Sequence, residues 1–215
     1  MNPPTIEQWI TRLEHGAQMV LRETPLFEGA SDPVSVADWI SNFADELGHR
    51  RALDRAVLAR LLGTSPGPMP AFPTPDIALW WGQDLQSDSR RGPPPQPIVP
   101  PDPNMGIELW TEIELGALHA VWNRVIDRAA PECGVLARQA VEWHVNELQS
   151  DNATSHAFGL HGFVICAHER NLSDVWLHAD MMVHSTMLGT GKPDRFSACL
   201  MLDAARGLRR YLEAL

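Results

Sequence analysis

Apolar residues recur every three or four positions through most of this chain, which is the spacing of an amphipathic α-helix. Residues 5–22 give the clearest example, because Trp9, Leu13 and Val20 fall on a single stripe behind Thr5, a typical N-cap residue. Alternating runs of β-branched residues, which are typical of strands, are nearly absent, and the chain holds one tyrosine. The pattern predicts an all-α protein.

Helices are predicted on both sides of a proline-rich region. Their predicted ranges are 5–22, 36–47, 51–62, 76–87, 107–129, 133–149, 155–169, 174–188 and 194–213. The breaks in the last part of the chain are short, and short connections between long amphipathic helices favour antiparallel neighbours. We therefore expect antiparallel helical hairpins, arranged either as an α/α bundle or as a short solenoid.

Prolines interrupt the helical pattern in two places. Residues 64–75 contain five prolines, which exclude a continuous helix, and residues 92–103 contain seven, which is typical of an extended connector. The chain is therefore predicted to consist of an N-terminal helical unit at 1–65, a proline-rich connector with one short helix at 66–106, and a helical-hairpin domain at 107–215. The pattern leaves open whether the N-terminal unit packs against the last part of the chain.

Composition restricts the class of protein. A chain of 215 residues with 44% hydrophobic residues can form a substantial core. A net charge of −10 without a basic run argues against binding to nucleic acid or to an anionic membrane. No apolar window approaches the roughly 18 residues of a membrane-spanning helix, and the first residues lack a secretory pattern. With three cysteines, an odd number, we expect a cytoplasmic protein with reduced thiols.

Several ionisable residues fall among the apolar positions of the predicted helices. The histidines are His144, His161 and His184. The carboxylates are Glu114, Asp180 and Asp203. A buried imidazole needs a hydrogen-bonding partner or must stay neutral, so this repeated placement requires an explanation. We expect these six side chains to converge on one pocket, with Asp151, Asn152 and His156 at its rim.

Two kinds of chemistry fit such a pocket. One is a divalent transition metal (zinc, manganese or iron) bound by His144, His161, His184 and Asp180. The other is acid–base catalysis on a small polar molecule by carboxylates and imidazoles of different pKa. Buried histidines that form ordinary hydrogen bonds in a protein core explain the same pattern without a site.

Trp80 and Trp81 are adjacent on the short predicted helix. Two adjacent indoles cannot both face one core, so one of them is expected to cover either the last part of the chain or a partner protein. The leading hypothesis is therefore a protein-interaction or scaffold module that acts through its helix faces and this tryptophan pair, by binding a partner or by self-association. The alternative is an enzyme or metal-binding protein that acts on a small polar molecule through the buried pocket.

Two segments of the helical-hairpin region carry a resemblance. Residues 148–157 read Leu-Gln-Ser-Asp-Asn-Ala-Thr-Ser-His-Ala, and residues 191–196 read Gly-Lys-Pro-Asp-Arg-Phe. Together with the helices around them, they resemble uncharacterised bacterial all-helical proteins of α/α-hairpin, toroid-like or solenoid-like architecture. The resemblance covers residues 107–215 and implies a helical fold, but it brings no activity. This region has too few predicted helices for a closed toroid.

Overall fold

The computed structural model describes residues 3–28, 32–44, 46, 51–84, 95–148, 154 and 156–215. Within these ranges the chain forms helices and no strands, which confirms the all-α prediction. The α-helices are α1 (Ile6–Leu21), α2 (Pro25–Glu28), α3 (Pro33–Asn42), α4 (Ala52–Leu62), α5 (Pro75–Trp80), α6 (Ile107–Ile126), α7 (Gly134–Glu147), α8 (Leu160–Arg170), α9 (Ser173–Ser185) and α10 (Arg195–Glu213). Among the same residues, no helix is both long and apolar enough to cross a membrane.

Local chemistry sets the helix ends. Thr5 caps α1 in a reciprocal pair with Gln8, as its sequence predicts. Helix α3 begins earlier than predicted because the side chain of Asp32 accepts hydrogen bonds from the first backbone N–H groups. Helix α8 begins at Leu160 rather than near residue 155, because Gly159 has a φ of +67° and cannot belong to a right-handed helix.

Helix α10 runs through the centre of the molecule. Residues 198–205 are each at most 2% exposed, so this part of the helix is buried on all sides. Helices α1, α4, α6 and α8 pack against it. A single charged residue, Asp203, lies within this buried stretch. Its environment therefore defines the most polar region of the core.

The N-terminal helices pack directly against the last part of the chain, and this answers the question that the sequence left open. Helix α1 lies along α10, and its Trp9 ring stacks on Trp176 of α9 with the ring centroids 6.0 Å apart. Helix α4 also contacts α10. Apolar residues from Ile6 to Leu208 form one continuous core, which also includes Ile98 and Val99 of the proline-rich connector.

Candidate functional site

Helix α6 carries a line of polar residues through the core. Glu112, His119, Asn123 and Asp127 are separated by seven, four and four positions, and this spacing keeps them on one face of the helix. His119 is 0% exposed and Asn123 is 2% exposed. Arg60 of α4 and Asp203 of α10 form hydrogen bonds with these two residues, so the polar face of α6 forms a wall that both helices contact.

Asp203 of α10 is the centre of the buried part of this wall. Its carboxylate accepts hydrogen bonds from Arg60 Nε (2.9 Å), Asn123 Nδ2 (2.6 Å) and His119 Nε2 (3.1 Å). Burial alone would raise the pKa of Asp203, but the bond from His119 and the Arg60 guanidinium outweigh it and hold the pKa below its ordinary value. Asp203 is therefore a buried carboxylate ion at neutral pH.

The hydrogen bonds of His119 fix the position of its proton. The backbone N–H of Gly159 donates to His119 Nδ1 at 3.0 Å, so Nδ1 carries no proton and Nε2 donates to Asp203. Burial lowers the pKa of His119, and the bond to Asp203 only partly opposes this effect. The imidazole is therefore neutral, with both nitrogens engaged in hydrogen bonds.

Arg60 joins the buried network to the surface. Besides the bond from Nε to Asp203, one terminal nitrogen donates to Asp127 at 2.8 Å and the other to Asn123 Oδ1 at 3.0 Å. Burial would lower the pKa of Arg60, but Asp203 and Asp127 raise it. A guanidinium has five N–H donors, and partners among the described residues occupy three of them, which leaves one on each terminal nitrogen. The side chain is 26% exposed.

A cavity of about 530 Å³ opens beside this guanidinium, and we call it the Arg60 cavity. Its polar lining residues are Arg60, Thr64, Asn123, Arg124 and Asp127. Its larger apolar lining residues are Pro66, Leu79 and Trp80, with small contributions from alanines of α4 and α6. The volume lies within the range of small-molecule sites, about 300–1,000 Å³.

Both tryptophans of the adjacent pair make contacts within the chain. The Trp80 ring lies 5.2 Å from the His119 ring between centroids, so it covers α6 and lines the Arg60 cavity. Trp81 Nε1 donates to the carbonyl of Gly67 at 3.1 Å, which ties α5 to the proline-rich stretch before it. One tryptophan of the pair was expected to cover either the last part of the chain or a partner protein. Trp80 covers the last part of the chain.

His161 is buried next to His119. It is 0% exposed, its ring centroid lies 4.4 Å from that of His119, and neither ring nitrogen has a hydrogen-bonding partner among the residues that the structure describes. Burial, reinforced by His119, lowers the pKa of His161 well below its ordinary value. The prediction that His161 points inward is correct, and the ring is neutral at physiological pH.

Glu114 and His144 form a separate buried pair. Glu114 is 0% exposed and accepts hydrogen bonds from the backbone N–H groups of Ile98 (2.7 Å) and Val99. His144 Nε2 lies 3.3 Å from Glu114 Oε1. The inward placement predicted for both residues is correct. Their contacts are structural, because Glu114 anchors the proline-rich connector to α6.

We expect Glu114→Gln to lower the free energy of unfolding by about 1–3 kcal/mol, because an amide has one acceptor oxygen and leaves one of the two buried N–H groups without a partner. Urea unfolding measures the change, and amide hydrogen exchange at Ile98 and Val99 should become faster. Glu108→Gln, at an exposed position of the same helix, is the matched control. Unchanged exchange at the two amides would contradict the anchoring role.

Asp180 and His184 are exposed, so the inward placement predicted for them is wrong. The inner face of α9 is formed by other residues, namely Val175, Trp176, Ala179, Met182 and Val183. Asp180 forms an ion pair with Arg12 at the surface. The apolar residues used for the prediction, Leu177, Met181 and Leu188, are 59%, 36% and 66% exposed. Leu177 and Met181 lie one turn apart on the outer face of α9, and we call this pair the α9 stripe; Leu188 lies beyond the end of the helix.

The predicted rim is partly outside the described residues, because Asp151 and Asn152 are among those that the structure does not describe. His156 is described, and its Nδ1 contacts Glu112 while its Nε2 lies 3.9 Å from Asp194. Thr154 also donates to Glu112 at 2.8 Å. The bond and charge of His156 lower the pKa of Glu112 against the opposing effect of burial. His156 thus belongs to a half-buried cluster at the N-terminal part of α6.

The six predicted pocket residues are therefore distributed over three places: beside Asp203, beside Glu114, and on the outer face of α9. The metal set predicted from them, His144, His161, His184 and Asp180, does not converge. In the part of the chain that the structure describes, no group of three or more histidine, cysteine, aspartate or glutamate side chains could bind a metal ion.

The sequence prediction missed Arg60, His119 and Asn123, which donate hydrogen bonds to Asp203. A spacing of four positions separates His119, Asn123 and Asp127, and this spacing predicts one polar face on the helix. Arg60 gave no such signal, since it lies at the end of another helix.

Comparison with family models, with curated proteins and with solved structures finds no match to this chain.

Proposed function

We propose that the protein binds a small polar molecule in the Arg60 cavity. The observation that supports this proposal is the Arg60 guanidinium, which three acceptors hold in a fixed orientation while two of its N–H donors remain available beside a cavity of about 530 Å³. A donor that is already oriented binds a ligand without the entropic cost of ordering a flexible side chain.

The cost of this network supports a functional explanation. Removing charged groups from water is unfavourable, and an apolar replacement of similar volume is often equally or more stable. Arg60 keeps donors at a cavity whose other wall is apolar, the usual combination in small-molecule sites.

Binding is favoured over acid–base catalysis. A general base needs a lone pair within reach of the substrate proton. The one lone pair of neutral His119 accepts the Gly159 N–H, and its proton is donated to Asp203. Both nitrogens of His119 are therefore occupied by structural bonds, and His161 is fully buried.

A screen of small polar fragments by ligand-observed NMR tests the proposal. Fragments should bind the protein, and Arg124→Ala should weaken their binding, because Arg124 lines the Arg60 cavity. Arg170→Ala is the matched control, since Arg170 also pairs with an acidic side chain but lies at a different cavity. Absence of any bound fragment, or equal binding to wild type and Arg124→Ala, would contradict the proposal.

Protein interaction is a second candidate function, and the α9 stripe favours it. Leu177 and Met181 lie one turn apart, and exposed large apolar residues grouped on one surface are typical of interaction sites. If this stripe mediates self-association, analytical ultracentrifugation should detect a dimer that is lost in Leu177→Glu. A wild-type protein that is monomeric at all accessible concentrations would contradict self-association through this stripe.

We also propose a cytoplasmic location. The three cysteines, Cys133, Cys166 and Cys199, are all free, and unpaired thiols are typical of a reducing compartment. Burial raises the pKa of Cys166 to about 12, so this thiol is protonated and unreactive at neutral pH. Fractionation of the cells that make the protein tests the location directly.

A further inference from the structure

We propose that the ligand of the Arg60 cavity is a monocarboxylate with a compact apolar or aromatic body. This inference rests on the proposed function and names the chemical class of the molecule bound there. It follows from the local charge, from the donors that remain on Arg60, and from the apolar wall formed around Trp80.

The charge around the cavity is opposite in sign to that of the whole chain. The protein has a net charge of −10, yet the cavity lining holds two arginines, Arg60 and Arg124, and one acidic residue, Asp127. Asp127 is shared between Arg60 (2.8 Å) and Arg210 (2.9 Å). Asp203 interacts with Arg206 as well as with Arg60. Arg124 adds a further positive charge, and its partner Asp84 is 86% exposed, so solvent weakens that pairing.

The small excess of positive charge favours a ligand with one negative charge. A carboxylate accepts charge-assisted hydrogen bonds from a guanidinium, and Arg60 retains one donor on each terminal nitrogen. A dianionic phosphate would exceed the excess of positive charge and would lie close to the Asp127 carboxylate, which lines the same cavity. A cation would be repelled by Arg60 and Arg124.

The opposite wall of the cavity indicates the chemical character of the rest of the ligand. Trp80, Leu79 and Pro66 contribute apolar surface, and the alanines at 56 and 120 leave room beside them. The Trp80 ring is supported from behind by His119, so it offers a rigid surface for an apolar or aromatic group. The cavity therefore pairs an anion-binding end with an apolar end.

Isothermal titration calorimetry with matched probes tests this class. Benzoate and benzamide have the same size and shape and differ in charge, and inorganic phosphate and benzylammonium serve as other ions. We expect benzoate to bind at least about tenfold more tightly than benzamide, because a charge-assisted hydrogen bond replaces a neutral one. Phosphate and benzylammonium should bind more weakly than benzoate.

Variants separate the carboxylate contact from general effects on the fold. Arg124→Ala should weaken benzoate binding by about tenfold and benzamide binding clearly less, since both probes lose a polar contact but only benzoate loses a charge interaction. Arg60→Lys keeps the charge but loses the guanidinium fork, so it should also reduce the preference for benzoate. Arg170→Ala should bind both probes like the wild type.

The outcomes distinguish this inference from the proposed function. Equal affinities for benzoate and benzamide, both reduced in Arg124→Ala, would overturn the carboxylate assignment while the cavity remains a binding site. Binding of phosphate in preference to benzoate would likewise overturn it. Failure of every probe to bind at millimolar concentration would overturn this inference, whereas the proposed function is tested separately by the fragment screen.

Discussion

Asp203→Ala is expected to lower the free energy of unfolding by about 3–5 kcal/mol, because it removes a buried acceptor that three donors share, one of them a charged guanidinium. Asp203 is 1% exposed, and its side chain accepts hydrogen bonds from Arg60, Asn123 and His119. All three donors would lose their acceptor at once. Urea unfolding followed by tryptophan fluorescence measures the change in free energy.

A second Asp–Arg pair in the same protein provides the control. Asp180 also pairs with an arginine, Arg12, but its side chain is 53% exposed. Asp180→Ala should therefore cost at most about 1 kcal/mol, as is usual for surface ion pairs. Equal losses of stability in Asp203→Ala and Asp180→Ala would contradict the central position of Asp203 in the core.

Stability is expected to fall as the pH decreases below about 6.5, the ordinary pKa of histidine, because the unfolded chain then binds protons that the folded protein excludes. Burial lowers the pKa of His119 and of His161, and lowers the pKa of His178 to about 4. His161 alone should remove up to about 1.4 kcal/mol for each pH unit below that point. Its stabilising contribution is complete above pH 6.5 and is lost as the pH falls toward the lowered folded-state pKa.

His161→Leu isolates this effect. Leucine has a similar volume and no titrating group, so the variant should be at least as stable as the wild type at pH 7 and should lose less stability at pH 5. Denaturation at both pH values measures the difference in slope. Leu118→Met, a change in the same core without a titrating group, should leave the slope unaltered. An unchanged slope in His161→Leu would show that His161 is not the buried neutral group described above.

The periodic placement of apolar residues was sufficient to predict the helical fold and part of the buried polar set. Glu114, His144, His161 and Asp203 are each at most 1% exposed, as their positions on apolar stripes predicted. Three of these residues lie on α6, α8 and α10, which are buried over long continuous stretches, so a polar residue among their apolar positions is inside whichever side of the helix it takes.

Helix α9 shows where local periodicity fails. It has apolar residues on both sides, with Val175 and Val183 buried and Leu177 exposed. Which side turns inward is decided by the partner helix, since Trp176 stacks against Trp9 of α1. That contact joins residues far apart in the chain, and no spacing within α9 encodes it. Asp180 and His184 consequently lie on the outer side.

The same reasoning explains why Arg60 was missed. Arg60 lies at the end of α4 on its partly exposed side, where an arginine is ordinarily a solvated residue. Its role arises only because α4 packs against α10 and brings it to Asp203, 143 positions away. The pairing of a surface-facing donor with a buried acceptor is a property of the tertiary structure.

The most direct test of the central claim, that the Arg60 cavity binds a small polar molecule, is to map the position of a bound fragment by ¹H–¹⁵N correlation NMR, including the Arg Nε–H signals. The account predicts that shifts concentrate on the Arg60 Nε–H, on Thr64 and Gly82, and on residues 120–129, all at or next to the cavity lining. Shifts confined to the α9 stripe, or to the separate cavity beside Arg138 and Arg170, would contradict it.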